Sequence, residues 1–267
     1  MATEELQTAA AVEPLVRRTP GARGVVTLTL NRPQAFNALS EAMLAALQRE
    51  LDALAKDESV RVVVLAAEGK AFCAGHDLKE MRARPSLEYY RRLIGQCTRM
   101  MLTLRALPVP VIARVQGIAT AAGCQLVAQC DLAVASSSAR FAVSGVNLGL
   151  FCSTPSVPLS RNVPRKQAFE MLVTGEFVDA LQAQARGLVN RVVEPSRLDA
   201  EIAALTASII AKPRVAVAMG KELFYRQVEL DTEAAYAAAS ETMACNLMDA
   251  AALEGVQAFI EKRPPRW

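Results

Sequence analysis

The chain has 267 residues, of which 52% are hydrophobic and 21% charged, so it can bury a sizeable core and is not globally disordered. Its 30 basic and 27 acidic residues leave a net charge of +3, which argues against a dedicated nucleic-acid or membrane-surface protein. A single histidine excludes a multi-histidine metal site within one chain, and six cysteines without a CxxC pair do not indicate zinc or redox chemistry.

The N-terminal residues lack the pattern of a leader. Glu4 and Glu5 precede the first arginine, Arg17, whereas a secretory signal starts with basic residues and a transit peptide is rich in arginine. No apolar run approaches the length needed to cross a bilayer, and cysteines in apolar runs are typical of reduced, buried thiols. We therefore expect a flexible lead-in over residues 1–20, no membrane partner and a cytoplasmic location.

Strand and helix patterns then alternate along the chain. Alternating Val, Leu and Thr predict a strand over residues 24–30, and Ser40 can cap a helix that runs to residue 56. Further elements follow in this order: a strand over 61–66, a helix over 86–107, strands over 111–115 and 130–135, a helix start at Thr154, and a capping box at Asp179. This order predicts an α/β fold built from repeated strand–strand–helix units.

The composition changes after residue 193. From residue 196 onward the chain is rich in alanine, helical in pattern and poor in strand signals. We predict a core domain over residues 1–195 and a smaller helical region over residues 196–267.

Two loops with small side chains are candidates for chemistry. One covers residues 71–78 and the other residues 117–125, and each follows a predicted strand. Small residues let a ligand approach the backbone, so the two loops could offer two N–H donors to one developing oxyanion. Tight turns and close packing explain the same composition, and spacing alone does not decide between these interpretations.

At these loops the sequence resembles the crotonase family, also called the enoyl-CoA hydratase/isomerase superfamily. The matching segments are NRPQAFNALS (31–40), AFCAGHDLKEM (71–81), VQGIATAAGCQLVAQCDLAVAS (115–136), FAVSGVNLGL (141–150), TGEFVDALQAQARGLVNRVV (174–193) and AFIEKR (258–263). They occur in family order and cover nearly the whole chain. The resemblance implies a spiral of ββα repeats followed by C-terminal helices that trimerise.

The resemblance also implies a ligand, an acyl-CoA thioester whose enolate oxygen is held by two backbone N–H groups. Carried over by position, the donors are His76 and Ala122, where the family usually has glycine at the second position. The implied substrate pocket contains Gly123, Cys124, Ser144 and Cys152. The implied CoA contacts are Ala35, Phe36, Ala71, Ala74, Asp77, Leu78, Phe259 and Lys262. The last two are often supplied by a neighbouring subunit of a homotrimer or dimer of trimers. No metal and no permanently bound cofactor is implied.

The sequence departs from the family at the acid and base. Hydratases of the family use two glutamates around one water, and this chain has Gln125 and Gly145 at those positions. Glutamine cannot accept a proton at neutral pH, and we expect glycine to contribute only space. A positioned acid or base contributes roughly 10²–10⁴-fold, so we expect hydration of enoyl-CoA to be weak or absent.

Three side chains are alternatives for proton transfer or nucleophilic attack. The His76 imidazole has a usable pKa range, but the ring can equally pack or meet solvent. Cys152 would be a nucleophile only with a stabilised thiolate, and a buried, inert cysteine is the competing interpretation. Asp77 can act as a base or fix its loop.

Several functions therefore remain open. The sequence favours an acyl-CoA enzyme of the hydratase/isomerase type in fatty-acid metabolism. A decarboxylase resembling methylmalonyl-CoA decarboxylase, or a non-catalytic acyl-CoA-binding protein, fits the missing glutamates. RNA binding is disfavoured, because the helix over residues 40–56 carries only Arg49 and Lys56 as basic residues.

Overall fold

The computed structural model describes residues 13–267, which form ten β-strands and eleven α-helices. The strands are β1 (Val16–Pro20), β2 (Val25–Leu30), β3 (Val62–Ala67), β4 (Ala71–Cys73), β5 (Val111–Val115), β6 (Ile118–Thr120), β7 (Leu132–Ser136), β8 (Arg140–Ala142), β9 (Val178–Asp179) and β10 (Arg191–Val193). The helices are α1 (Glu41–Ala55), α2 (Leu78–Ala83), α3 (Leu87–Ala106), α4 (Ala122–Gln129), α5 (Ser153–Asn162), α6 (Arg165–Thr174), α7 (Ala180–Ala185), α8 (Leu198–Ile210), α9 (Arg214–Gln227), α10 (Thr232–Leu247) and α11 (Ala250–Ile260).

The strands form two sheets. The large sheet has the order β1-β2-β3-β5-β7-β10, and the small sheet has the order β4-β6-β8-β9. Pairing is parallel except between β1 and β2 and between β8 and β9. Strands β3, β5 and β7 lie in the large sheet, and the strand that follows each of them lies in the small sheet, before a helix. The predicted α/β fold of ββα repeats is confirmed.

The large sheet is covered on both faces. Val63 and Leu65 of β3 belong to the main core, whereas Val62 and Val64 point to a second core on the opposite face. The second core is covered by apolar residues on one face of α8: Leu198, Ile202 and Leu205. Burial on both faces explains why the sequence of β3 is a continuous apolar run.

Two of the predicted helix caps are present. The Ser40 hydroxyl accepts the Met43 N–H at 3.2 Å at the start of α1. Asp179 and Gln182 form a reciprocal capping box at the start of α7. The cap predicted at Thr154 is wrong, because α5 begins at Ser153, and Cys152 stands at the cap position without a side-chain hydrogen bond.

The prediction of a flexible lead-in over residues 1–20 is wrong for its last five residues; residues 1–12 lie outside the described part. Val16–Pro20 form β1, which pairs antiparallel with β2, and Val16 is buried. Arg17 pairs with Glu68. The edge of a sheet offers free backbone N–H and C=O groups, which can pair with a strand of almost any sequence. The charged sequence VRRTP can therefore form a strand although it lacks the apolar alternation that predicts one.

The helices after residue 195 are tied to the core through Asp131, just before β7. The Nζ of Lys221 and the hydroxyl of Tyr225, both on α9, each donate to the Asp131 carboxylate at 2.8 Å.

In the described chain no residue of α9 or α10 is buried. The apolar side chains that are exposed between residues 214 and 260 include Phe224, Tyr236, Met243, Met248 and Phe259. The predicted boundary between a core domain and a helical region at residue 195 stays a prediction. Helix α8, which follows that boundary, packs directly on the large sheet.

Two kinds of feature are absent between residues 13 and 267. No single helix there is long and apolar enough to cross a membrane. The segments Pro195–Ile210 and Arg214–Gln227 reach the required length and composition only as a pair, bent by 101°. Over the same residues, no group of three or more His, Cys, Asp or Glu side chains could hold a metal ion.

Candidate functional site

The loops that follow β4 and β6 meet at one edge of the small sheet. The two strands pair in parallel, so their carboxyl ends point the same way. Gly75 in the first loop has a φ of +91°, and a Cβ added there would lie 3.0 Å from the Cβ of Ala121 and 3.3 Å from the nitrogen of Ala122. The two small-residue loops predicted from the sequence therefore touch, and glycine at position 75 keeps the gap between them open.

Two backbone N–H groups beside this contact have no hydrogen-bond acceptor within residues 13–267. Leu39 donates its N–H to the Gly75 carbonyl at 2.8 Å and accepts the Asp77 N–H at 3.3 Å, so the N–H of the intervening His76 is unused. Ala122 is the first residue of α4, whose N-terminus has no side-chain cap. Its N–H is one of the orphan donors at the start of an α-helix. Each loop therefore offers one unpaired donor.

The start of α4 is fixed by close backbone packing. A Cβ on Gly123 would lie 2.0 Å from the Cys73 carbonyl oxygen, so only glycine lets the helix approach β4 this closely. Ala121, the residue before the helix, has a φ of 50°, a region that L-residues rarely occupy. Its N–H donates to the Ala142 carbonyl at 3.0 Å on β8. These contacts hold the Ala122 N–H in a fixed direction.

Gln125 lies one turn after Ala122 on the same face of α4, as i and i+3 positions do. Its side chain is buried, at 4% exposure, and its Oε1 atom has no hydrogen-bond partner among the described residues. A glutamine here offers a hydrogen-bonding amide without a charge.

The His76 residue is half-buried, and its imidazole Nε2 atom is buried and likewise lacks a partner in the described chain. Burial lowers the pKa of His76 to about 4, because a charged ring would lose its hydration. The ring is therefore neutral at pH 7. The pKa range expected from the sequence does not apply, and a neutral imidazole with this pKa is a poor base.

Gly145 does not leave open space, contrary to the expectation from the sequence. Its N–H donates to the Sγ of Cys152 at 3.3 Å. A Cβ at position 145 would lie 2.7 Å from that sulfur and 2.5 Å from the Leu150 carbonyl oxygen. The chain folds back after Gly145 and fills the volume that a side chain there would need.

The thiols around this position are protonated at neutral pH. Burial raises the pKa of Cys124 to about 12 and also raises the pKa of Cys152. Neither thiol is a stabilised thiolate, so the geometry favours the buried, inert interpretation of Cys152. Ser144, beside Gly145, shares a hydrogen bond of 2.8 Å with the Thr120 hydroxyl and so ties the β6 loop to the residue-145 segment.

The segment 31–40 lies against the loop that follows β4. The Ala74 N–H donates to the Phe36 carbonyl at 3.0 Å. Asn37, fully buried, donates its side-chain amide to the carbonyls of Glu68 and Ala71, each at 2.9 Å. These bonds bring together six of the CoA-contact candidates taken from the family: Ala35, Phe36, Ala71, Ala74, Asp77 and Leu78. The Phe36 and Leu78 side chains are about half exposed, so this surface is open to a ligand.

Asp77 has a structural role in its loop. Its carboxylate caps α2 by accepting the N–H groups of Lys79 and Glu80, and it pairs with Arg32 at 2.7 Å. Although burial favours the neutral acid, the bond from Arg32 and those from the helix N–H groups hold the pKa of Asp77 below its usual value. These contacts favour the loop-fixing interpretation over a base.

Phe259 and Lys262 lie at the end of α11, and no hydrogen bond or ion pair of the described residues joins them to the other candidates. The end of the chain is held elsewhere, because the Trp267 indole N–H donates to the Ala211 carbonyl at 3.1 Å. The Phe259 side chain is 85% exposed. The candidate CoA contacts of Phe259 and Lys262 therefore stay a prediction.

Three contributors to the site were not predicted from the sequence: Asn37, Thr120 and the Leu150 carbonyl. Asn37 lies inside a matching segment, and its φ of 55° is a conformation in which asparagine is enriched. Thr120 and Leu150 carry no local signal, because each acts through a contact with a residue distant in the chain.

The comparisons with known proteins identify the family of this chain. The family model for enoyl-CoA hydratase/isomerase matches residues 21–267. The curated mouse protein enoyl-CoA hydratase domain-containing protein 3, mitochondrial, is 45% identical over 255 residues, which cover 96% of this chain and 85% of that protein. Its human counterpart is 44% identical over 244 residues, covering 91% of this chain and 80% of that protein. The sequence resembles this group particularly in AGHDLKE, SGVNLGLFCSTP and VPRKQAFEML.

Solved structures give the same result. The crystal structure of an enoyl-CoA hydratase from Mycobacterium smegmatis is 71% identical, with a TM-score of 0.95, over 96% of this chain and 99% of that one. The crystal structure of human enoyl Coenzyme A hydratase domain-containing protein 3 is 43% identical, with a TM-score of 0.91, over 95% of this chain and 100% of that one.

The relatives also correct one prediction. Curated relatives from mouse, rat, frog, human and zebrafish are all named mitochondrial, so the predicted cytoplasmic location is wrong. The physical reason is that buried, reduced thiols suit any reducing compartment, and the composition of a folded domain does not record where it resides.

Proposed function

The chain belongs to the enoyl-CoA hydratase/isomerase family, and from this premise we propose that it binds an acyl-CoA thioester and stabilises an enolate-like anion at the thioester oxygen. The donors are the backbone N–H groups of His76 and Ala122. The observation that carries the proposal is that both groups lack an acceptor and stand on two loops in contact at Gly75. One such donor contributes about 3–4 kcal/mol to a transition state.

The CoA part of the ligand lies along the surface formed by the segment 31–40 and the loop after β4. The half-exposed Phe36 and Leu78 side chains flank it. Phe259 and Lys262 are proposed to reach the same ligand from a neighbouring subunit, because no hydrogen bond or ion pair of the described residues ties them to the site of their own chain and the Phe259 side chain is 85% exposed. The apolar side chains exposed on α9–α11 support a homotrimer or a dimer of trimers. A surface with this many large, exposed apolar side chains is typical of a protein–protein interface.

The proton transfers of the reaction do not use the two glutamates of a hydratase. Gln125 is uncharged, and the volume beyond Gly145 is filled by Cys152 and the Leu150 carbonyl. The His76 ring is neutral and the nearby thiols are protonated. We therefore expect enoyl-CoA hydration at least about 100-fold slower than in a family member that has both glutamates.

A second candidate reaction is decarboxylation of a 2-carboxyacyl-CoA. The uncharged Gln125 favours it, because the departing CO₂ leaves the electron pair on the α-carbon and no base has to remove a proton. The two N–H donors stabilise the resulting enolate, and a proton taken from water at the α-carbon completes the acyl-CoA product. A protein that binds the thioester without turning it over would use the same pocket.

The test is calorimetric titration with butyryl-CoA, together with a crotonyl-CoA hydration assay. Gly75→Ala places a methyl group 3.3 Å from the Ala122 nitrogen and should weaken thioester binding at least about tenfold. Gly149→Ala is the matched control, because Gly149 has a similar φ of +77° but no atom within 4 Å of an added Cβ. No binding of butyryl-CoA to the natural protein would overturn the proposal. Efficient hydration of crotonyl-CoA would overturn the expected weak hydratase activity.

A further inference from the structure

The half-buried arginines of this chain differ in whether a carboxylate neutralises them. Within residues 13–267 eight arginines are half-buried, and six of these form ion pairs with an Asp or Glu side chain. The six are Arg17, Arg32, Arg105, Arg114, Arg186 and Arg263. The two that lack a carboxylate partner are Arg61 and Arg214, and both line the same cavity.

This cavity lies between the start of the large sheet and the C-terminal helices. Its volume is about 380 Å³, a size typical of small-molecule sites. Arg61 directly precedes β3, and Arg214 is the first residue of α9. Arg23, which is exposed and lies two residues before β2, adds a third guanidinium to the lining. No Asp or Glu of the described chain lines the cavity, so the three positive charges have no counter-charge there.

The contacts of these arginines hold two of them in place and leave many N–H donors free. The Arg61 Nη2 donates to the Ile210 carbonyl at 3.3 Å, and the Arg214 Nε donates to the Val60 carbonyl at 3.3 Å. No hydrogen bond within residues 13–267 uses the Nε and Nη1 of Arg61, either terminal nitrogen of Arg214, or the guanidinium of Arg23. The planar fork of a guanidinium matches the oxygens of a phosphate group.

The turn before β2 packs directly on Arg61. Gly24 in this turn has a φ of +80°, and a Cβ added there would lie 2.7 Å from the Cγ of Arg61 and 2.3 Å from the Ser59 carbonyl oxygen. Arg23 has a φ of 56°, a left-handed conformation that arginine rarely adopts. This close approach brings the backbone of Arg23 beside Arg61.

The cavity and the candidate acyl-CoA site lie at opposite ends of the same strands. Strands β2 and β3 pair in parallel along their whole length of six residues. Arg23 and Arg61 precede the starts of these strands, whereas the segment 31–40 follows the end of β2. Six residues of extended chain span roughly 17 Å. The cavity therefore lies outside the candidate acyl-CoA site of the same chain.

We propose that this cavity binds a diphosphate group, with Arg23, Arg61 and Arg214 donating to its oxygens. An anion with several negative charges offsets the mutual repulsion of three guanidiniums, which one carboxylate does only in part. The indole of Trp267, which also lines the cavity, offers an apolar surface to an organic part of the ligand. The same chemistry fits free pyrophosphate or the diphosphate of a nucleotide.

The test is calorimetric titration of the purified natural protein with pyrophosphate and with ADP at low ionic strength. We expect a Kd below about 1 mM for at least one of the two. Tighter binding of ADP would identify an organic diphosphate as the ligand, and tighter binding of pyrophosphate would identify the free anion. The absence of binding by both would overturn the proposal.

Three variants assign the binding to the cavity. Arg23→Gln and Arg214→Gln should each weaken the binding of the tighter ligand at least about tenfold, because each removes charged donors. Arg23 is exposed and makes no hydrogen bond within the described residues, so its replacement should leave the fold intact. Arg165→Gln is the matched control, because it removes one exposed positive charge at the start of α6.

The control should change the affinity less than about twofold, since exposed charges at a distance are screened. Equal weakening in all three variants would show a general attraction to the positive charge of the protein and would overturn the site. Undiminished binding in both Arg23→Gln and Arg214→Gln would place the diphosphate elsewhere on the molecule and would also overturn it.

Discussion

The Cys152 side chain fills the space that a side chain on Gly145 would need. The Gly145 N–H donates to the Cys152 sulfur at 3.3 Å, and a Cβ on Gly145 would lie 2.7 Å from that sulfur. The Leu150 carbonyl oxygen would be closer still, at 2.5 Å. A flexible side chain can move aside, but a backbone carbonyl cannot do so without moving the chain. The position of the second hydratase glutamate is therefore closed by the backbone.

The first prediction concerns this closure. Gly145→Ala should lower the free energy of unfolding by about 1–3 kcal/mol, because the added Cβ overpacks the segment. Gly145→Glu should destabilise at least as much and should not produce hydratase activity, even when combined with Gln125→Glu. Denaturant unfolding and the crotonyl-CoA assay measure the two effects.

The matched control for this change is Gly95→Ala. Gly95 lies within α3, and its added Cβ would meet only the Arg99 guanidinium at 3.8 Å. Alanine there should stabilise the protein by roughly 0.5–1 kcal/mol. A stable, hydratase-active Gly145→Glu variant would contradict the closure of this position.

The second prediction concerns pH. The folded chain keeps His76 neutral down to about pH 4, whereas the unfolded chain protonates it near its ordinary pKa of about 6.5. Between these values the unfolded state binds more protons, so stability falls as the pH drops from about 6.5 to 4, by at most about 3 kcal/mol.

His76→Gln should remove this loss, because the substituted side chain does not titrate. The measurement is the difference in unfolding free energy between the natural protein and the variant, taken at several pH values. Carboxylates titrate alike in both proteins, and His76 is the sole histidine of the chain. If the difference in unfolding free energy between the two proteins does not change with pH, the His76 ring is not held neutral by burial.

The third prediction concerns the anchor of the C-terminal helices. Asp131→Ala should cost about 3–5 kcal/mol, because it leaves the Lys221 ammonium, whose side chain is only 7% exposed, without its counter-charge. Burial already lowers the pKa of Lys221, and the Asp131 carboxylate opposes that shift. Asp199→Ala breaks an ion pair with Arg114 in which the aspartate is 81% exposed, and it should cost less than about 1 kcal/mol. Equal costs would show that the Asp131 pair behaves like a surface pair.

The fourth prediction concerns Phe259. Phe259→Ala should leave the stability of the single chain nearly unchanged, because the side chain is 85% exposed, but should weaken butyryl-CoA binding about tenfold. Leu87→Ala removes another largely exposed apolar side chain, at the start of α3, and should leave binding unaltered. Light scattering on the same samples should give a mass that is a multiple of three chains. A monomer, or unchanged binding, would remove the neighbouring-subunit role.

Much of the fold could be predicted because its signals are local. Ser40 and Asp179 cap their helices through atoms within four residues, and β3 in the large sheet is a short apolar run. β1 escaped prediction because its pairing depends on the free edge of β2 and not on its own residues. Two chain segments were recognisable as small-residue loops, but their contact at Gly75 depends on the parallel pairing of β4 and β6.

The sequence by itself determined the ββα order, the family and the identity of the residues at the two glutamate positions, because these are properties of residue type and spacing. The tertiary structure decided what those residues can do. It buried the His76 ring and lowered its pKa, it left Gln125 without a partner, and it folded Leu150 and Cys152 into the space beside Gly145. Dielectric surroundings, hydrogen-bond partners and free volume arise from segments far apart in the chain, so residue type and spacing do not encode them.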